Sequence, residues 1–231
     1  MLTTRFLVLS VLPVICLLVL PLMGMAHNIS ESNARFVEGI SGPAIVPFMY
    51  LGAKHMVTGY DHLLFLLGVI FFLFRARDIL LFVTLFTLGH SITLMSGVLL
   101  QVNVNAYLID AIIGLSVVYK AFENIDGFKQ VFGLQLNARL AVFIFGLFHG
   151  LGLATKLQEF AISSDGLVTN IVSFNVGVEI GQAIALALIL IVLLHWRQRD
   201  SFQNHAFIAN TLLMTAGFVL TGYQIAGYMW A

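Results

Sequence analysis

The sequence predicts an all-α protein, a polytopic membrane bundle of six transmembrane helices that follow an N-terminal signal peptide. Of its 231 residues, 60% are hydrophobic and only 10% are charged, whereas about 25% of the residues in a soluble domain are charged. Besides this composition, seven apolar segments in the precursor predict the fold. Each is close to the length that a membrane-spanning helix needs, about 17 to 25 residues. We therefore expect the lipid bilayer to be the main partner.

Charge and cysteine content exclude several classes of function. The formal net charge is zero at pH 7, so no basic field is present to attract nucleic acid. The single cysteine, Cys16, lies in the first apolar segment. Disulfides within the chain and cysteine-based metal sites are therefore excluded.

The first segment has the layout of a secretory signal. A short polar start ends at Arg5, an apolar stretch covers 6–23, and small residues precede a cleavage point after Ala26. We expect residues 1–26 to be a signal peptide, or else an uncleaved first helix. Residues 27–56 then form a short exported segment that begins with His27, and 57–231 form the transmembrane domain.

The six remaining apolar segments and their flanking charges predict a topology. Cytoplasmic loops carry an excess of Lys and Arg, and one orientation places seven of these residues inside and three outside. Both termini of the mature chain then face outward, on the periplasmic side of a bacterial inner membrane. The predicted spans lie near 57–74, 79–100, 106–122, 138–157, 167–195 and 206–230. The predicted inner residues are Arg75, Arg77, Lys120, Lys129, Arg139, Arg197 and Arg199, and the outer ones are Arg35, Lys54 and Lys156.

Several ionisable side chains interrupt these apolar segments, and their positions place them in the outer half of the membrane. Three uncompensated carboxylates there would cost roughly 8–10 kcal/mol. They therefore need ion pairs, a water-filled cavity or a bound cation. Histidine and carboxylate together suit divalent ions such as nickel, cobalt or zinc. The candidate metal ligands are His62, Asp61, His90, His149, Glu179, Asp110, Asn175 and His55.

Helical spacing groups some of these residues. His55 and His62 are seven apart and share a helix face, and Asn175, Glu179 and Gln182 follow one another at steps of four and three. Taken singly, each residue has a structural explanation, such as a histidine bonded to a carbonyl, Asp110 paired with Lys54, or an asparagine joining two helices. Because the groups come from five spans at one depth, together they favour a functional site.

Five ordered motifs resemble the HupE/UreJ family of membrane proteins: "HMVTGYDHLLFLL", "FTLGHSITL", "LIDAIIGLSVVYKAFEN", "FGLFHGLGLA" and "SFNVGVEIGQ". The resemblance covers the chain from about Tyr50 to the C-terminus. It implies a nickel or cobalt permease, and it maps the family's His and Asp-His motif onto His55, Asp61 and His62. Five residues separate His55 from Asp61, one more than in another group of nickel/cobalt permeases. Because each residue turns a helix by about 100°, the additional residue changes the angle between His55 and Asp61 by that amount.

Three functions remain open at this point. The first is transport of nickel or cobalt as the substrate, for which the inner half of the spans offers few polar groups beyond Ser116 and Thr84. The second is an intramembrane zinc-dependent hydrolase, similar to alkaline ceramidases, with Glu179, Asp110 and Ser91 as catalytic candidates. The third is cobamide uptake or metal sensing, and a substrate as large as a cobamide would require a homo-oligomer or a wide cavity.

Overall fold

The computed structural model describes residues 39–159 and 164–230, and every regular element in those ranges is a helix. The predicted all-helical class is therefore confirmed for this part of the chain. The predicted signal peptide, His27 and the exported segment up to residue 38 lie outside the described residues. The helices are α1 (Ile45–Thr58), α2 (Tyr60–Ile70), α3 (Ala76–Leu99), α4 (Ala106–Asn124), α5 (Gly127–Phe132), α6 (Ala138–Gln158), α7 (Leu167–Arg197) and α8 (Ser201–Trp230).

Four of these helices, α3, α6, α7 and α8, are long and apolar enough to cross a membrane. Large apolar side chains on them point away from the bundle, among them Ile191 and Val192, which are 67% and 64% exposed. Such surfaces suit lipid rather than water. The helix α4 coincides with a further predicted span, at 106–122. Six spans remain a prediction, because α4 and the short helices α1 and α2 are not among the four.

The first helical segment differs from its prediction, since it starts twelve residues earlier and is broken. α1 begins at Ile45, within the segment predicted to be exported, and the helix is interrupted at Gly59, whose backbone is extended. A side chain at position 59 would lie 2.9 Å from the ring of His62. His62 therefore lies about four to five helical turns beyond Ile45, and not just below the top of a span that starts at residue 57.

Glycines bring two pairs of parallel helices into backbone contact. On α7, Gly177 and Gly181 face Met49 and Ala53 of α1, so that an added methyl group would lie 1.9 and 2.5 Å from their carbonyl oxygens. The same packing joins α3 to α6, where Gly150 faces the carbonyl of His90. Small residues at such contacts let helices pack closely in lipid.

Polar contacts fix the two ends of the bundle. At one end, which we name the Gly42 end, the Asn170 side chain accepts from Ala44 N and donates to Gly42 O at 2.7 and 3.1 Å. At the other, the Arg197 end, the guanidinium donates to carbonyls that follow α2, including Phe71 O at 2.7 Å and Leu73 O at 2.9 Å. The chain from α1 through α2 thus runs alongside α7 from one end to the other. The positive-charge pattern predicts that the Gly42 end faces outward.

Candidate metal centre

The break between α1 and α2 places Asp61 and His62 in the interior of the bundle. Both are buried, with 1% and 2% exposure, and Oδ1 of Asp61 lies 2.9 Å from Nδ1 of His62. Because an ionised carboxylate can only accept, the proton of this contact is on Nδ1. The lone pair of His62 is then on Nε2, a buried nitrogen with no hydrogen-bond partner among the described residues. A carboxylate that orients a histidine in this way is typical of metal sites.

His149, in the middle of α6, is fully buried next to His62. The centroids of the two rings are 4.9 Å apart. Nε2 of His149 lies 3.2 Å from Oγ of Ser116, and that hydroxyl donates its single proton to Ile113 O at 2.6 Å. The hydroxyl must therefore accept from Nε2–H, which leaves the lone pair of the imidazole on Nδ1. Both histidines are thus held in tautomers that leave one nitrogen able to bind a metal.

His90 of α3 completes a buried group of three histidines. Its ring centroid lies 6.0 Å from that of His62, and neither of its nitrogens has a hydrogen-bond partner in the described part of the chain. The contact between α3 and α6 sets its position, because Gly150 abuts the His90 carbonyl and Thr93 donates to Leu147 O at 2.6 Å. The predicted convergence of His62, His90 and His149 is what the structure shows.

A narrow cavity adjoins this group on the side of the Gly42 end. Half-buried His55, at the end of α1, forms part of its wall, and its ring centroid is 5.1 Å from that of His62. The extended backbone at Gly59 brings the two rings together despite the additional residue between His55 and Asp61. The complete lining is His55, Asp61, His62, Asp110, Ile113, His149, Gly152, Leu153 and Lys156.

Asp110 also lines the cavity, and it is engaged by a residue that the sequence reasoning missed. The Lys156 ammonium group lies 2.7 and 2.9 Å from the two carboxylate oxygens of Asp110. The sequence paired Asp110 with Lys54 and counted Lys156 only as an outer charge. Its spacing was the available signal, since Lys156 follows His149 by seven residues and so shares its helix face.

The structure does not bring the predicted residues of α7 into this centre. Asn175 is buried, but neither it nor Glu179 lines the cavity. Glu179 is exposed, between the exposed side chains of Val176 and Ile180. The contact of α7 with α1 determines which face of α7 is buried, and Glu179 lies on the opposite face, at the surface of the bundle. The predicted stripe is therefore split, because Gln182 faces inward and accepts from Thr87 at 2.8 Å.

Ser91 lies beside His90 on α3 but also stays apart from the cavity. The residue is half-buried, and its hydroxyl oxygen has no hydrogen-bond partner among the described residues. It is not part of the cavity lining. The structure thus offers no contact between Ser91 and the cavity that a catalytic role would need.

Asp61, His62 and His149 fit a metal ion in type and in distance. One ligand atom from each lies within 4.8 Å of the other two. Two nitrogen or oxygen ligands of a single ion, each about 2.1 Å from it, are at most about 4.2 Å apart. All three could bind one ion after these side chains rearrange so that their ligand atoms come closer together. Imidazole nitrogen and carboxylate oxygen form a suitable set for zinc, nickel or cobalt.

Ser116→Ala provides a first test of this arrangement. Without the hydroxyl, nothing fixes the tautomer of His149, and loss of such outer-shell partners typically lowers metal affinity 10- to 100-fold. We expect about that loss for Ni²⁺ or Co²⁺ by isothermal titration calorimetry, with little change in thermal unfolding. Ser96→Ala is the matched control, because its hydroxyl bonds to Ile92 O in its own helix. Equal affinities in the two variants would rule out this role for Ser116.

Comparison with known proteins identifies the family. A family model described as HupE / UreJ protein matches residues 31–231. No curated protein and no solved structure matches the chain. The match covers most of the chain, including each helix of the described residues and the histidines of the centre, and it confirms the resemblance seen in the motifs. This chain belongs to the HupE/UreJ family.

Proposed function

We propose that this protein transports a divalent transition metal ion, Ni²⁺ or Co²⁺, across the membrane. The observation that carries the proposal is the buried set of Asp61, His62 and His149, whose ligand atoms lie within 4.8 Å of one another. A carboxylate and neutral imidazoles can replace the water around such an ion. His90 lies outside this set, but its ring adjoins that of His62, and we include it as a further nitrogen ligand.

The broken helix supports transport over a purely structural role for these residues. In many transporters the substrate site lies where a membrane helix is interrupted, near the middle of the bilayer. Here the interruption at Gly59 directly precedes Asp61 and His62, and His149 is central in α6.

Polar groups along α4 support an inner route, for which the sequence offers few candidates beyond Ser116 and Thr84. On α4, Ser116 is followed one turn later by buried Lys120, which binds Glu123 at 2.7 Å. Nearer the Arg197 end, Asn124 donates to Asn210 Oδ1 at 2.8 Å. These groups lie along the side of α4 that faces the interior. They support a path from the centre toward the Arg197 end.

Uptake by liposomes tests the proposal. Purified protein in liposomes should take up radiolabelled nickel or cobalt in a saturable manner, above the level of protein-free liposomes. His62→Ala and His90→Ala should each abolish the saturable component. His205→Ala should keep it, because His205 bonds to Ser201 O within α8. Uptake equal to that of empty liposomes, or unaffected by the first two changes, would refute the proposal.

A zinc-dependent hydrolase is the second candidate, favoured by the number of ligands. Asp61, His62 and His149 provide three protein ligands, and catalytic zinc is bound by three, with the fourth position left for water. Metal analysis of the purified protein separates the two candidates. One tightly held zinc per chain together with cleavage of lipid amides or esters would favour hydrolysis. Exchangeable nickel or cobalt without such cleavage would favour transport.

A further inference from the structure

The ion pair between Asp110 and Lys156 has no role in the centre described so far. It joins α4 to α6, with both oxygens of Asp110 within 2.9 Å of one ammonium group. The two side chains are buried, at 6% and 11% exposure. Both form part of the wall of the cavity that also contacts His55, Asp61, His62 and His149. A fixed positive charge therefore stands beside the residues proposed to bind a cation.

This arrangement works against tight binding of an ion. A cation in the cavity is repelled by the ammonium group, and the repulsion is strong where water is largely excluded. The carboxylate of Asp110, which would otherwise attract the ion, is already neutralised by Lys156. The cavity lining carries two carboxylates and one ammonium, with the histidines neutral, and so has one net negative charge instead of two.

We propose that Lys156 is a built-in competing cation that sets the affinity of the site. With no ion present, the ammonium group occupies the carboxylate of Asp110. A divalent ion that reaches the cavity takes over Asp110 and displaces the ammonium. The return of the ammonium then helps to release the ion. This inference rests on the proposed function, because transport requires binding weak enough to permit release.

The alternative is that the pair only holds α4 against α6. The two explanations predict opposite changes in Ni²⁺ affinity when Lys156 is replaced. If the pair only holds the helices together, removal of either partner should weaken metal binding in the same way. If Lys156 competes with the ion, removal of Lys156 and removal of Asp110 should have opposite effects on the affinity. Lys156→Gln removes the charge while keeping a hydrogen-bond donor for Asp110, and should tighten Ni²⁺ binding at least about tenfold. Asp110→Asn leaves the ammonium without its anion, and should weaken Ni²⁺ binding by a similar factor.

Calorimetric titration of the purified full chain with Ni²⁺, and separately with Co²⁺, measures these changes. Thermal unfolding of each variant reports whether it folds. Lys129→Gln is the control, since it removes the charge of an exposed lysine on α5 that does not line the cavity, and it should leave the affinity unchanged. In the liposome assay, Lys156→Gln should also slow uptake at saturating metal, because the ion is released more slowly.

The outcomes separate this inference from the proposed function. If the unaltered protein binds neither ion, the proposed function fails, and the role of Lys156 fails with it. If the unaltered protein binds and Lys156→Gln binds equally or more weakly, the competing-cation role alone is overturned. Should Lys156→Gln not fold, Lys156→Met takes its place as the variant that removes the charge, and an affinity equal to or lower than that of the unaltered protein overturns the role.

Discussion

His62→Ala should lower the affinity for Ni²⁺ or Co²⁺ by at least about 100-fold, more than the usual effect of an outer-shell change. His62 is the centre of the cluster, because its ring adjoins those of His55, His90 and His149. Its Nε2 is buried and has no hydrogen-bond partner among the described residues. Calorimetric titration of the purified protein measures the loss.

A second variant separates loss of a ligand from loss of the fold. His62→Ala also removes the 2.9 Å contact of the buried Asp61 carboxylate, and breaking a buried charged pair by removing one partner costs about 3–5 kcal/mol. His62→Gln keeps a donor for Asp61 and lacks the imidazole nitrogen, so it should fold and still lose the affinity. His205→Ala, a control at the Arg197 end, should bind like the unaltered protein. Normal affinity in His62→Gln would show that His62 is not a ligand.

Gly150→Ala should both destabilise the protein and lower its affinity for the metal. The added methyl group would lie 2.1 Å from the carbonyl oxygen of His90 and 2.4 Å from Oγ1 of Thr93. Helices α3 and α6 must then separate, and overpacking of this kind costs about 1–3 kcal/mol. The midpoint of thermal unfolding should fall by several degrees, roughly 2–4 °C per kcal/mol. His90 and His149 would move apart, and calorimetry should show weaker binding.

Gly222→Ala is the matched control for this change. Gly222 lies within α8, and a methyl group added there would meet no atom within 4 Å. Alanine also favours helix over glycine by up to about 1 kcal/mol. The control should therefore unfold at the same temperature or slightly higher, with unchanged metal affinity. If Gly150→Ala behaves like Gly222→Ala, the close contact of α3 and α6 does not determine the geometry of the centre.

Most of the helices could be predicted from the apolar pattern alone. The predicted segments at 79–100, 138–157 and 167–195 end within a few residues of α3, α6 and α7. Each is predominantly apolar and bounded by polar turns, so length and composition suffice to define it. The first segment was misplaced because α1 contains polar residues such as Lys54 and His55, which the pattern assigned to the exterior. Its packing against α7 overrides that signal.

The sequence predicted the histidines of the candidate centre, but it did not predict the ion pair between Asp110 and Lys156. His62, His90 and His149 stand out because ionisable side chains in apolar helices are costly and need a reason. The chemical character of a residue does not determine whether its face of the helix turns toward the interior. Glu179 has the same chemical character, yet α7 turns it outward, away from the cavity.

By itself, the sequence determined that this is an all-helical membrane-type chain with histidines and carboxylates inside its apolar helices, because composition and length decide those properties. The tertiary structure alone decided that the helix breaks beside Asp61 and that Ser116 bonds to His149. It also decided that Lys156 neutralises Asp110. The last two are contacts between helices that are distant in sequence, and the relative rotation of those helices depends on where small residues allow close packing. A pattern along one helix does not carry that information.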